Sequence, residues 1–148
     1  MLKEWWESIQ GTSRINPSDY AAQTSPNRWK SFNYSLAGWL YMLRWQKNTR
    51  IMSVASIVVF GVAFWVGISR IEWALLVVTI TIVWLTEFLN AGIEAAIDIA
   101  APDIHPMAQV GKDVASAAVL LGVVASVIVG LLILAPPVLV KIGLLNPA

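Results

Sequence analysis

The sequence predicts an all-α integral membrane protein, with three transmembrane helices preceded by an amphipathic surface helix. Three observations predict it. The chain has 148 residues, of which 57% are hydrophobic and only 13% charged, against about 25% charged in ordinary soluble domains. The apolar residues are concentrated in three long runs separated by short polar breaks. Basic residues gather ahead of the first run, with seven of the ten Lys and Arg before residue 51.

Residues 1–26 read as a peripheral N-terminal tail, and 27–148 as one membrane domain. The opening MLKEWWESIQ places acids and tryptophans where a signal peptide would carry its apolar core, so the N-terminus is expected to be retained. Leu2, Trp5, Trp6 and Ile9 fall at helical spacing and suit a short interfacial helix, with a disordered tail as the equal alternative. The following INPSDYAAQTSPN is rich in turn formers and reads as a linker. Residues 28–48 read as an amphipathic helix whose apolar face carries Trp29, Phe32, Leu36, Trp39, Leu40 and Leu43. Lys30, Arg44 and Lys47 supply the charge, and tryptophan with basic residues favours the membrane interface.

The first span is expected over about 51–68, an uncharged run long enough for about 30 Å of hydrocarbon. SRIE breaks it, flanked by Trp65 and Trp73, and implies a helical hairpin. The second span is expected over about 73–97, and the proline-containing loop 98–113 ends it. The third span is expected over about 114–135, with Asp113 as a possible N-cap and Pro136-Pro137 as its stop. Ser116, Ala117 and Ala118 make a small-residue patch suited to close helix packing. The positive-inside rule puts the N-terminus and the 98–113 loop in the cytoplasm and the C-terminus outside.

Composition removes several function classes. Cysteine is absent and His105 is the single histidine, so disulfides, thiolate sites and multi-histidine metal centres are excluded. Net charge is +1 at pH 7, which offers no field for nucleic acid. No phosphate-binding glycine loop occurs, since Gly111-Lys112 lacks the upstream glycine of a P-loop.

The chemistry lies in the second span. Glu87, Asn90, Glu94 and Asp98 are spaced three, four and four apart, within about 80° of one helix face. Glu87 follows the uncharged run Trp73–Thr86 and is expected at membrane depth. A carboxylate there costs at least about 2.5–3.5 kcal/mol on insertion scales, which stability does not explain. The stripe therefore points to a buried acid or base with a cation site, whereas Asp98 by itself fits ordinary solvation of a helix end. Lys112 is a candidate phosphate contact, or an ordinary basic flank. His105, without context, reads as a solvated loop histidine.

The segment EFLNAGIEAAIDIAAPDIHPMAQVGKDVASAAVLL strongly resembles the signature of the prokaryotic diacylglycerol kinase family, which includes the undecaprenol kinases. Glu87, Asn90, Glu94, Asp98, His105, Lys112, Asp113, Ser116 and Ala117 all fall in register with it. Weaker similarity through KSFNYSLAG and NTRI extends the likeness to about residues 28–135. The resemblance implies a homotrimer of three-span subunits in the bacterial plasma membrane, with sites between subunits, using Mg2+ and ATP. It implies that Glu87 is the general base for a lipid hydroxyl, that Asn90 orients groups near it, and that Glu94 is a magnesium ligand. Lys112 and Asp113 would contact nucleotide, with Asp103, His105 and Ser116 close by, and Tyr34 matches a nucleotide-contacting tyrosine.

Two positions depart from that pattern. Gln46 stands where the family usually has a second metal-binding glutamate, so it would offer a carbonyl oxygen but no charge. Asn27 stands where an arginine is usual. The leading reading is a lipid kinase acting on diacylglycerol or undecaprenol, the loop HPMAQVGKD being nearer the undecaprenol branch. A catalytically impaired relative with a structural or lipid-binding role is the alternative, and a cation pathway along the stripe is a third reading.

Overall fold

The structure is a computed structural model that describes residues 27–101, 103 and 105–146; the expectation for residues 1–26 lies outside these. Four helices follow one another: α1 (Arg28–Trp45), α2 (Lys47–Val66), α3 (Arg70–Ala100) and α4 (Pro106–Lys141). Among the described residues there is no strand. The last three helices are long and apolar enough to cross a membrane.

The chain divides into two compact units, one ending at Tyr41 and one beginning at Met42. In the first unit α1 exposes Trp29, Phe32, Leu36, Trp39 and Leu40, the face that the sequence assigns to a membrane surface. The second unit holds the three long helices. Gln46 is the joint between α1 and α2: its φ of −89° and ψ of 116° are extended, so the expected single helix over 28–48 is interrupted there.

Between α2 and α3 the turn is tight. Gly67 takes φ 79°, a left-handed value that closes the end of α2 with its N–H on the Ala63 carbonyl. Ser69 then caps α3: the Glu72 amide donates to Ser69 Oγ, and the Ser69 amide donates to Glu72 Oε2. The SRIE break is thus a capping box, a spacing legible in the sequence that the hairpin reading passed over. Phe60 stacks on Trp73 with ring centroids 5.9 Å apart, and Ala63, Leu76 and Ile133 are buried together beside them. Lys141 closes the same end by donating to the Trp65 carbonyl, with its ammonium 5.4 Å from the Trp65 ring centroid.

α3 and α4 form the closest helix pair. Gly111 faces Ile97, and Gly122 faces Val83 and Thr86, so the helices run antiparallel in one register. A Cβ on Gly122 would sit 3.3 Å from Thr86 Oγ1, closer than an ordinary contact, and 3.8 Å from the Val83 Cα, so the Thr86 hydroxyl is what a methyl there would press on. The buried small residues of α4 are Ala115 and Gly122, whereas Ser116, Ala117 and Ala118 are exposed, so the packing expected of that patch falls one residue away.

Three boundaries differ from the sequence reading. α3 continues to Ala100 and α4 begins at Pro106, so most of the expected 98–113 loop is helical, because Pro106 occupies the first turn of α4, where a missing N–H is no loss. Asp113 is therefore two turns inside α4, and the cap is His105, whose Nδ1 accepts from the Met107 amide at 3.2 Å. At the other end α4 runs through Pro136 and Pro137 to Lys141 instead of stopping. Each proline removes one backbone bond. In hydrocarbon a broken helix would orphan more backbone groups than the two prolines do, and the helix continues.

Candidate functional site

The acidic stripe of α3 is real and graded in exposure. Glu87 is 3% exposed, Asn90 and Glu94 are half-buried, and Asp98 is exposed. About 21 Å of helix separates Trp73 from Glu87, against about 30 Å for a hydrocarbon core. Glu94 accepts a hydrogen bond from Asn90 Nδ2 at 3.0 Å. Asp98 forms an ion pair with Lys112 across the α3–α4 seam. That pair gives both residues a partner that neither sequence position announces, and it holds the Lys112 ammonium on the stripe side of α4.

Two oxygens of the stripe have no hydrogen-bond partner although both are buried: Glu87 Oε2 and Asn90 Oδ1. Thr49 Oγ1 is a third such atom. Ser53, Thr81 and Thr86 each donate to a carbonyl of their own helix. Thr49 lies in the first turn of α2, just past the interruption at Gln46, and makes no such bond. An unsatisfied buried acceptor costs about 1–3 kcal/mol, more if charged, so each of these atoms calls for a donor.

Glu87 lines a cavity of about 530 Å³ between α2, α3 and α4. The wall is apolar for most of its length, with Ile51, Val59, Leu76, Ile80, Val123 and Leu134 among its residues. Trp84 and Ser56 also line it, and the Trp84 indole N–H donates to Ser56 Oγ at 3.2 Å. Trp84 packs against Phe88 as well, with ring centroids 6.2 Å apart. The cavity, Trp84 and Ser56 were missed in the sequence; the available signal was a tryptophan placed mid-span, away from both interface belts.

The remaining candidate residues are distributed as follows. Gln46 is half-buried at the α1–α2 joint. Ser56 and Trp84 join α2 to α3 at mid-span. Asp113 and Ser116 are exposed on α4, and Asp103 and His105 are exposed in the α3–α4 connection. Tyr34 belongs to the first unit and is 62% exposed on α1.

Among the described residues no group of three His, Asp or Glu side chains could hold a metal by itself. Magnesium does not require one, because it keeps several waters and binds through one or two carboxylates plus substrate phosphates. The donor set at the exposed end of the stripe is the Glu94 carboxylate, held by Asn90. That set fits an ion delivered by a polyphosphate, and does not fit a cage made wholly of protein.

Chemically, the arrangement offers a buried carboxylate with an open acceptor site at the head of an apolar cavity. A carboxylate and a lysine stand further along the same face, toward water.

Comparison with known proteins gives consistent results. The family model for prokaryotic diacylglycerol kinase matches residues 33–134. A diacylglycerol kinase of Synechocystis sp. is 37% identical over 120 residues, covering 80% of this chain and 69% of the relative. A diacylglycerol kinase of Pseudomonas aeruginosa is 34% identical over 105 residues, covering 70% of this chain and 85% of the relative. The undecaprenol kinase of Bacillus subtilis is 35% identical over 107 residues, covering 72% of this chain and 87% of the relative.

Proposed function

The chain belongs to the prokaryotic diacylglycerol kinase family, a family of lipid kinases, and on that premise we propose that it transfers the γ-phosphoryl group of ATP to the hydroxyl of a membrane lipid. The observation that carries the proposal is Glu87: 3% exposed, lining an apolar cavity, with Oε2 unpartnered. A lipid hydroxyl entering from the bilayer supplies the donor that this oxygen lacks.

Glu87 acts as the general base. It takes the hydroxyl proton as the lipid oxygen bonds to the γ-phosphorus and the bond from that phosphorus to the leaving ADP oxygen breaks. Phosphoryl transfer asks little of the protein beyond positioning and charge neutralisation, and one well-placed base is enough. Asn90 Nδ2 holds Glu94, and Asn90 Oδ1 remains open to a donor on the incoming substrate. Glu94 and Gln46 are the residues that would hold Mg2+, which when bound neutralises phosphate charge. Lys112 adds a positive charge on the same face, and Asp113, Ser116, Asp103 and His105 line the approach for nucleotide. Tyr34 on α1 is proposed as a further nucleotide contact. The functional unit is proposed to be a homotrimer in the bacterial plasma membrane. In that membrane the α3–α4 connection faces the cytoplasm and the C-terminus the outside.

The test is transfer of phosphate from Mg-ATP to diacylglycerol and to undecaprenol by the purified protein. Gln46 favours a second reading, a catalytically impaired relative, because an amide cannot neutralise a metal. Under that reading wild-type protein labels neither lipid and Gln46→Glu restores transfer; wild-type turnover in the normal range for a kinase rejects it.

A further inference from the structure

Whatever lipid presents its hydroxyl to Glu87 must thread the cavity below it. The lining runs along α3 from Glu87 to Leu76, about 16 Å of helix. Trp84 lines this path on the α3 side. It lies about 4.5 Å along the axis from Glu87, so its indole flanks the acceptor atoms next to the reacting hydroxyl. It is also fixed: the N–H donates across to Ser56 on α2, and the ring packs on Phe88. A tryptophan free to rotate would only fill space, but one tied to the facing helix makes a rigid wall.

We propose that Trp84, tethered by Ser56, is the specificity-determining residue of the acceptor site, restricting the part of the lipid beside its hydroxyl to one slender chain and so favouring a single-chain polyprenol over a two-chain diacylglycerol. The inference rests on the lipid-kinase reading above. A polyprenol carries its hydroxyl on a single, flat isoprene chain that can lie against an indole face. A diacylglycerol branches into two ester-linked chains within a few bonds of its hydroxyl, at the level of the indole. The polar side chain nearest that level, Ser56, is already engaged by the indole N–H. Deeper in, Thr79 directs its hydroxyl to the Leu75 and Leu76 carbonyls of its own helix at 3.0 Å each. Apart from Ser126 on α4, the wall below the indole presents hydrocarbon where ester groups would come to lie.

The experiment compares wild type, Ser56→Ala, Trp84→Phe and Trp84→Ala with undecaprenol and with 1,2-dioleoylglycerol as acceptors, at saturating Mg-ATP in one detergent. Wild type is expected to prefer undecaprenol in kcat/KM by at least about ten-fold. Trp84→Ala should shrink that preference by about five- to ten-fold, chiefly by lowering the KM for dioleoylglycerol, with the KM for ATP unchanged. Ser56→Ala removes the tether with little change of volume, and Trp84→Phe removes it while keeping an aromatic ring. They should shift the ratio the same way by about two- to five-fold, and they carry the test if Trp84→Ala does not fold. A ratio unchanged in all folded variants, or a wild-type preference for dioleoylglycerol, overturns the specificity assignment and leaves the kinase reading standing. No transfer from wild type to either acceptor overturns both.

Discussion

Replacing Glu87 by glutamine keeps the volume and one carbonyl oxygen of the side chain and removes its ability to accept a proton. The side chain is 3% exposed and Oε2 has no partner, so at that oxygen there is no bond for the amide to break. The expected loss is that of a general base, about 10²–10⁴-fold in kcat. The expected effect on stability has the opposite sign. An ionised carboxylate at membrane depth costs at least about 2.5–3.5 kcal/mol on insertion scales, and a neutral amide relieves part of that. Glu87→Gln should therefore lose turnover while its thermal midpoint holds or rises, the pattern of a residue retained for function against stability. ATP binding should be unchanged, because nucleotide is proposed to sit toward Glu94 and Lys112. The assay is label transfer from ATP to extracted lipid, run beside thermal unfolding followed by tryptophan fluorescence and equilibrium binding of a fluorescent ATP analogue. Turnover within ten-fold of wild type removes Glu87 as the base. A fall in stability comparable to a lost core contact would show that the carboxylate is structural after all.

Three other perturbations separate the parts of the site. Glu94→Ala should raise the magnesium concentration for half-maximal activity by about ten-fold or more, and an unchanged magnesium titration rejects its ligand role. Asp98→Asn breaks the ion pair to Lys112, whose side chains are 65% and 39% exposed, so stability should change by less than about 1 kcal/mol. The KM for ATP should nevertheless rise about two- to five-fold, and the difference should fade at high salt; no change at low salt means that Asp98 does not position Lys112. Gly122→Ala presses a Cβ to 3.3 Å from Thr86 Oγ1 and 3.8 Å from backbone, and should cost about 1–3 kcal/mol in unfolding. Gly111→Ala meets only the Ile97 Cδ1 tip, at 2.9 Å, and should be tolerated with a rotamer change; equal effects of the two would contradict the seam described for α3 and α4.

The three spans were legible because uninterrupted apolar runs and short polar breaks leave few alternatives in a membrane. Their ends were not. Pro106 looked like a terminator and starts a helix, and Pro136-Pro137 looked like a stop and lies inside one. Local rules for proline describe water, where a broken helix can solvate its backbone. The stripe was legible because spacing of three and four residues maps directly onto one helix face. The cavity was not legible, nor was the Ser56–Trp84 bond. Both depend on the register between helices that meet 28 residues apart in sequence. Lys112 was legible as a charge near the membrane face, but its pairing with Asp98 required α3 and α4 to extend past the expected loop boundaries.

The central claim is that this chain makes a phosphomonoester on a membrane lipid. Its most direct test is phosphorus NMR of the lipid extract after purified protein in vesicles containing undecaprenol or dioleoylglycerol is incubated with Mg-ATP. The account predicts a lipid phosphomonoester resonance that grows in step with ADP and is absent with Glu87→Gln. ADP release with no lipid phosphomonoester, or no turnover of ATP with either lipid, would contradict it.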